Sequence, residues 1–317
     1  MREHFSSSPE KPVLVIGAVG LDIVGRLKDE LKPNTSNPAQ IRTTFGGVAH
    51  NVADNLARLG HPVRLVGVIG QDQAGDQLIQ GMNNAGVDTS AVLRSSQQPT
   101  GSYLAVVNPF GKLLYALDDM RAISALTSEY IRQCSFLFED ASVIFLDANL
   151  PKPTLRTVMS LARRARIPVC ADPTSQSLAS KLRPYLYQMN LVVPNSAEAA
   201  ILCDRTINPA NPNDAIDAAK CLVSQGIEIA IITLAEFGLC YATSETSGHI
   251  PAIRTEIIDP TGAGDALTAA VIFALLNDIP LDDAVRLGVS AASLTLRHPG
   301  AVVPDLSLEK LYDQLVI

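Results

Sequence analysis

The stretch Asp259-Pro260-Thr261-Gly262-Ala263-Gly264-Asp265 joins two carboxylates through residues of little bulk, and an apolar helical pattern reaching Leu276 follows at once. A helix N-terminus presents unpaired N–H groups and a partial positive charge. Glycine lets an anion reach that backbone without meeting a Cβ. Thr261–Gly264 therefore qualifies as an oxyanion cradle for a phosphoryl group in transfer. Asp265, in the first turn beside the cradle, would repel a phosphate at rest. Taking the proton of an attacking hydroxyl is a task that would justify it there. Read alone, the same residues also make an ordinary capped helix start.

Two further stretches have the right chemistry to work with it. In PNSAE, Pro194–Glu198, a strand ends and a helix begins, and Asn195 and Glu198 are spaced to face the strand ends together. Their oxygens suit Mg²⁺ and its water shell; the same pair also reads as a capping box. Gly46-Gly47 followed by Asn51 brings bare backbone and an amide up to a polyol, or forms a tight turn into a helix. The P-loop pattern GxxxxGK[ST] is absent, and GAVGLD lacks the third glycine of the dinucleotide fingerprint. Neither GxSxG nor HExxH occurs. His50 adjoins Asn51; the histidines as a group read as surface or packing residues.

The elements that must position these residues alternate. VLVIGAVGLD (Val13–Asp22) reads as a buried strand, GGVAHNVADNLARLG as a helix stopped by Gly60, and VRLVGVIG as the next buried strand. From Ser142 onward strand and helix take turns: SVIFLDA, a helix over Thr154–Arg166, IPVCAD, NLVVPN, the helix SAEAAILC, a helix over Asn213–Gln225, IEIAIITLA, then helices over Gly264–Leu276 and Leu281–Thr295. This order predicts an α/β fold with a mostly parallel sheet covered on both faces. Ligands of such sheets bind beyond the carboxyl ends of the strands, which singles out Gly20, Asp22, Asp147, Asn149, Asp172, Asn195 and Thr233. Two β runs flanking NPFG, Gly101–Asp119, form a hairpin. Paired with Ile23–Phe45 it gives a small antiparallel lid sheet. The expected organisation is a disordered arm over residues 1–11 and one domain over 12–317, with lid segments at about 23–45 and 98–120.

A net charge of −7 with no Lys/Arg cluster argues against nucleic acid as a partner. No apolar run is long enough to span a membrane, and the N-terminus lacks an apolar signal core. The five cysteines form no CxxC or zinc spacing and sit mostly in apolar runs, as reduced buried thiols do. Cytoplasm is the expected compartment.

Together these pieces resemble the ribokinase-like sugar and nucleoside kinases, the PfkB family of carbohydrate kinases. The likeness covers nearly the whole chain after its first ten residues. It rests on Gly17-Ala18-Val19-Gly20-Leu21-Asp22, on GGVAHNVADNLARLG, on PNSAE and above all on DPTGAGD. Within the family, NTSNPAQIRTTFGGVAHNVADNLARLG, Asp119-Met120 followed by Ile123, DPTS at Asp172–Ser175 and PDLSLEKL resemble the members that phosphorylate pseudouridine. Kinases of the same fold acting on ribose, adenosine or another nucleoside remain open, as does a non-catalytic scaffold, although Asp265 and the Gly-Ala-Gly run are intact.

The resemblance implies ATP and Mg²⁺ as cofactors, with K⁺ beside them, and roles residue by residue. Asp265 resembles the catalytic base, and Gly262, Ala263 and Gly264 the anion hole. Asp22, Gly46, Gly47 and Asn51 resemble the grip on the sugar hydroxyls. Asn195 and Glu198 resemble the pair that organises phosphates and Mg²⁺, the glutamate acting through water. Thr233 and Gly238 lie in what resembles the ATP-binding TxGxxG turn. Asp259 resembles a ligand of the monovalent cation, with carbonyls from the loop near Arg297–Val302. Three departures stand out: Ala235 replaces a glycine in TLAEFG, Pro260 replaces a common threonine, and RHPGAVV differs from ribokinase's usual form.

Two expectations concern specificity and assembly. Pseudouridine carries an extra ring N–H, so a buried acceptor facing it would go unpaired with uridine; Thr100, Ser102 and Asn149 are candidates. Lys181, shortly after DPTS, is a candidate for the phosphates. A lid sheet with free edges needs cover, and pairing two lids in a homodimer would supply it.

Overall fold

The computed structural model describes residues 11–315, so the expected N-terminal arm falls almost wholly outside the described residues. Its strands, in chain order, are β1 (Val13–Ile16), β2 (Gly20–Leu27), β3 (Ala39–Gly46), β4 (Val63–Val66), β5 (Val68–Gly70), β6 (Val87–Asp88), β7 (Leu93–Ser95), β8 (Gly101–Val107), β9 (Leu113–Asp119), β10 (Val143–Asp147), β11 (Val169–Asp172), β12 (Leu191–Val192), β13 (Ile229–Thr233), β14 (Leu239–Ala242) and β15 (Ser247–Ile250).

The main sheet runs β15-β14-β13-β12-β11-β10-β1-β4-β6. Every pairing from β13 to β6 is parallel, while β14 and β15 close one edge antiparallel. β1 and β10 are buried along their whole length, which is why their sequences are unbroken apolar runs. One apolar layer lies under the helices Val48–Arg58, Ala263–Leu276 and Leu281–Leu296. The opposite layer lies under Lys152–Ala165, Ser196–Cys203 and Pro212–Ser224. Ala263–Leu276 is apolar nearly all round because it is wedged between the other two helices of its layer. Gly60 (φ +88°) ends Val48–Arg58 in the left-handed conformation expected of it.

Two expectations need correction. Val13–Asp22 is not one strand. The chain leaves the main sheet at Gly17, whose N–H bonds Val66 O, and re-enters regular structure at Gly20 in a second sheet. That sheet, ordered β3-β2-β8-β9, is mixed rather than antiparallel throughout. β2–β3 and β8–β9 are antiparallel, but the central β2–β8 pair is parallel. Both central strands start at glycines, and a Cβ on Gly20 would lie 2.4 Å from Gly101 O. The antiparallel edge β14–β15 was not foreseen, since its second strand, SGHI, has little apolar pattern.

Parallel register brings the strand ends to one rim. Asp147 pairs with Asp172, and Asn195 bridges Thr233. The start of the lid sheet and the N-termini of Val48–Arg58 and Ala263–Leu276 meet over that rim.

Candidate active site

Gly262 takes φ +79° as the N-cap of Ala263–Leu276, and a Cβ there would meet Ala301 O at 2.3 Å. Both facts demand glycine. Gly264 is different: its φ is ordinary, and a Cβ would have no heavy atom within 4 Å. Neither backbone nor packing requires glycine at 264, so the space before the helix N-terminus is kept clear of side chain.

Asp265 follows in the first turn. Its Oδ2 accepts a hydrogen bond of 2.7 Å from Asn51 Nδ2. Asn51 Oδ1 then faces His50 Nδ1 at 3.0 Å. With Nδ2 committed to a carboxylate, Oδ1 must accept, so His50 carries its proton on Nδ1. Burial lowers the His50 pKa and favours that neutral ring. His50 and Asn51 are both buried, so a fixed chain His50–Asn51–Asp265 aims the carboxylate. Burial pushes the Asp265 pKa up to about 7; the Asn51 bond pulls it down, while Asp22, Asp147 and Glu198 raise it further.

The rim as a whole is acidic. Burial raises the Asp22 carboxyl to about 6 and raises Glu198 and Asp147 as well. Asp172 is pushed well above the usual range, by burial first and then by Asp265, Glu198 and Asp147. Asp147 is held by N–H groups of Ala18 (2.7 Å) and Asn149 (2.9 Å). A Cβ on Gly17 would strike its Oδ2 at 2.0 Å, so Asp147 pins the crossover from main sheet to lid. Asp22 packs on Gly46, whose missing Cβ would lie 2.1 Å from Asp22 Oδ2. Gly47 (φ +94°) turns the chain into Val48–Arg58.

On the other side of the rim, Asn195 and Glu198 do form a capping box. Asn195 Oδ1 accepts from Ala197 N and Glu198 N, and Glu198 Oε2 accepts from Asn195 N at 2.9 Å. The box also holds Glu198 at the rim, close enough for its charge to act on Asp172 and Asp265. Thr233 lies beside Asn195 and donates its N–H to Pro194 O. Ala235 has φ +51° and Gly238 φ +90°, so the glycine-to-alanine departure falls where the backbone is left-handed.

Several expected residues have other work. Thr100 Oγ1 donates to Asp72 Oδ1 (2.6 Å) and accepts from Gly70 N (3.0 Å), so the hydroxyl is tied to the end of β5 and to Asp72, with one lone pair left over. Strand alternation puts Ser102, opposite Leu21, on the face away from Asp22. Asn149 gives its N–H to Asp147, and its half-buried side chain stays at the rim. Lys181 Nζ bonds the carbonyls of Ala148 (2.9 Å) and Leu150 (3.2 Å), and so braces the turn after β10 instead of reaching for phosphate. Asp259 is ion-paired with Arg42 of β3, which does not match the expected monovalent-cation ligand.

Sequence reasoning missed three residues. His50 had one signal, its adjacency to Asn51. Tyr103 stands opposite Asp22 in the β2–β8 register and shares its face; burial, Asp22 and Asp118 raise its phenol pKa. Arg42 was visible only as a charge within a lid strand.

The family model for pfkB family carbohydrate kinase matches residues 10–307. The chain is 31% identical over 297 residues to the pseudouridine kinase of Escherichia coli (strain K12), covering 93% of this chain and 94% of that protein. It is 27% identical to the guanosine-inosine kinase of Exiguobacterium acetylicum, covering 93% and 97%. The solved structure of Arabidopsis thaliana ribokinase complexed with ribose and ATP shares the fold, with TM-score 0.84, 21% identity and coverage of 97% and 99%. The chain belongs to the pfkB family of carbohydrate kinases and is an ATP-dependent sugar or nucleoside kinase.

Proposed function

We propose that this chain transfers the γ-phosphoryl group of ATP to the 5′-hydroxyl of pseudouridine, giving pseudouridine 5′-phosphate and ADP. The observation that carries the phosphotransfer reading is Asp265. It sits beside a glycine-lined helix N-terminus, is held by Asn51, and has its pKa raised to about 7. The likeness to the Escherichia coli pseudouridine kinase over 93% of the chain supports the choice of nucleoside.

Deprotonated Asp265 takes the proton of the 5′-hydroxyl as its oxygen attacks the γ-phosphorus. The bond from phosphorus to the β–γ bridging oxygen breaks, and ADP leaves with that electron pair. The backbone of Gly262, Ala263 and Gly264 receives the charge carried by the transferring group. Asp22, Gly46, Gly47 and Asn51 grip the sugar, with Tyr103 on the Asp22 side. Asn195, Glu198, Thr233 and Gly238 line the ATP side. Bound magnesium would neutralise the phosphates in an otherwise acidic cleft and orient them. Among the described residues no three His, Cys, Asp or Glu side chains converge on a metal position. As the resemblance implies, Glu198 would hold the ion through water, and the capping box keeps that carboxylate at the rim. No step is assigned to potassium, because Asp259 already carries Arg42.

The lid supports a homodimer. β9 is an edge strand with apolar side chains turned outward, Tyr115 being 61% and Leu117 68% exposed, and a second lid would cover them. A monomeric mass by light scattering at micromolar concentration would overturn that assembly. Five free cysteines and the use of ATP support a cytoplasmic protein; no helix among the described residues is long and apolar enough to cross a membrane.

The deciding experiment is ADP release with Mg²⁺-ATP against pseudouridine, uridine, adenosine and ribose. Turnover with pseudouridine alone is expected. Turnover with ribose or adenosine instead would keep the chemistry and reject the substrate.

A further inference from the structure

Asp259 is 3% exposed, and a carboxylate so placed needs compensation at close range. Both of its oxygens have it. Oδ1 accepts from Thr261 N at 3.0 Å, and Oδ2 accepts from Gly300 N at 3.2 Å and from the Arg42 guanidinium. All three partners are donors. They take three of the carboxylate's four lone-pair sites, and an alkali cation at the fourth would stand beside a guanidinium that repels it.

Arg42 does not belong to this loop. It lies on β3, opposite Val24 of β2, and comes to Asp259 from the lid across 217 residues of sequence. A second lid arginine works beside it: Arg26 of β2 donates to Ile258 O at 3.3 Å. The loop around Gly300 also lies on the lid, since a Cβ at Gly300 would be 3.5 Å from Thr44 Cγ2. Two lid strands therefore hold residues 258–259. The left-handed turn at Gly262 that opens the anion hole follows directly.

We propose that Arg42 is the built-in cation of Asp259, a positioning residue by which the lid holds the anion-hole loop without an alkali metal ion. Phosphotransfer then depends on the lid being seated, because the same guanidinium that closes the lid edge onto the body fixes the loop bearing Gly262–Gly264. The activity arm of the test rests on the phosphotransfer reading; the thermal arm does not.

The test compares the wild-type chain, Arg42→Ala and Arg42→Lys in choline, sodium and potassium chloride at matched ionic strength, by ADP release and by thermal unfolding. Wild type should turn over equally in the three salts, and its unfolding temperature should not respond to potassium in particular. Arg42→Ala should lose on the order of tenfold or more in kcat in choline, because the buried carboxylate that holds the loop loses its counter-charge and keeps only two backbone N–H partners. Potassium should restore part of that loss and raise the unfolding temperature of this variant alone, and Arg42→Lys should lie between. Potassium activation or potassium-specific stabilisation of the wild type would overturn the proposal. So would an Arg42→Ala chain indistinguishable from wild type in every salt. If the alanine variant does not fold, the wild-type salt series decides. If no substrate turns over, the thermal series decides.

Discussion

Asn51 Nδ2 lies 2.7 Å from Asp265 Oδ2, an amide from the first turn of one helix bonded to a carboxylate in the first turn of another, 214 residues later. The bond orients the Asp265 carboxylate and stabilises its ionised form, opposing the burial that raises its pKa. Asn51→Leu removes the donor at similar volume. The Asp265 pKa should then rise further above 7, moving the acidic limb of the kcat/KM profile to higher pH. Asp265→Asn should lose about 10²–10⁴-fold, the range of a general base. A pH profile in Asn51→Leu that superimposes on wild type would reject the orienting role.

The same pKa shifts make the free protein's stability depend on pH. The Asp265 and Asp22 carboxyls are raised, to about 7 and about 6, from an ordinary 3.8. A raised acid favours its protonated form in the fold. Its contribution is full below the unfolded pKa and is lost as pH climbs through the folded value. Between pH 5 and pH 8 these carboxyls should therefore draw about 1–3 kcal/mol from the unfolding free energy of the unliganded chain, allowing for solvent in the cleft, while His50 and His61, whose pKa values burial lowers, return stability over the same range. Asp265→Asn should flatten that slope and unfold later than wild type at pH 8. Urea titrations of both chains at the two pH values measure it, and a stability difference between wild type and Asp265→Asn that does not fall from pH 5 to pH 8 would contradict the assignment.

What was legible in the sequence was local. The helix starting at Gly262–Gly264, the stop at Gly60 and the capping box Asn195/Glu198 each follow from a few neighbouring residues whose backbone demands are distinctive. Relations set by long-range register were not legible. The facing of Tyr103 and Asp22 depends on a parallel β2–β8 pairing that hairpin logic does not anticipate. Lys181 carries the charge expected of a phosphate ligand, yet three carbonyls after β10 claim it. The pairing of Arg42 with Asp259 spans most of the chain, and nothing near either residue in sequence announces it.

Gly262 and Gly264 should separate folding from catalysis. Gly262→Ala places a side chain at φ +79° and 2.3 Å from Ala301 O, so it should cost about 2 kcal/mol or more. Gly264→Ala meets no neighbouring atom, and its stability should stay within about 0.5 kcal/mol of wild type. Its methyl projects into the space before the helix N-terminus, and kcat should fall on the order of 10²-fold, as when one oxyanion donor is lost. Thermal unfolding paired with ADP release reads both. A fully active Gly264→Ala chain would remove that position from the anion hole.

Ala235 offers a test of strain at the nucleotide side. It begins the short 3₁₀ turn Ala235–Phe237 between β13 and β14 with φ +51°, and Gly238 (φ +90°) ends that turn. An L-side chain in the left-handed region costs about 1–2 kcal/mol. Glycine removes that cost but adds about 0.4–1 kcal/mol of unfolded-chain entropy. Ala235→Gly should therefore stabilise the chain by a net ~0.5–1 kcal/mol. Ala235 is exposed, so the change leaves no cavity to confuse the sign. The turn keeps its path in either variant, so the KM for ATP should not change. If denaturation midpoints instead show Ala235→Gly to be less stable, the turn carries no strain at this residue and the left-handed conformation is held by contacts of the alanine methyl.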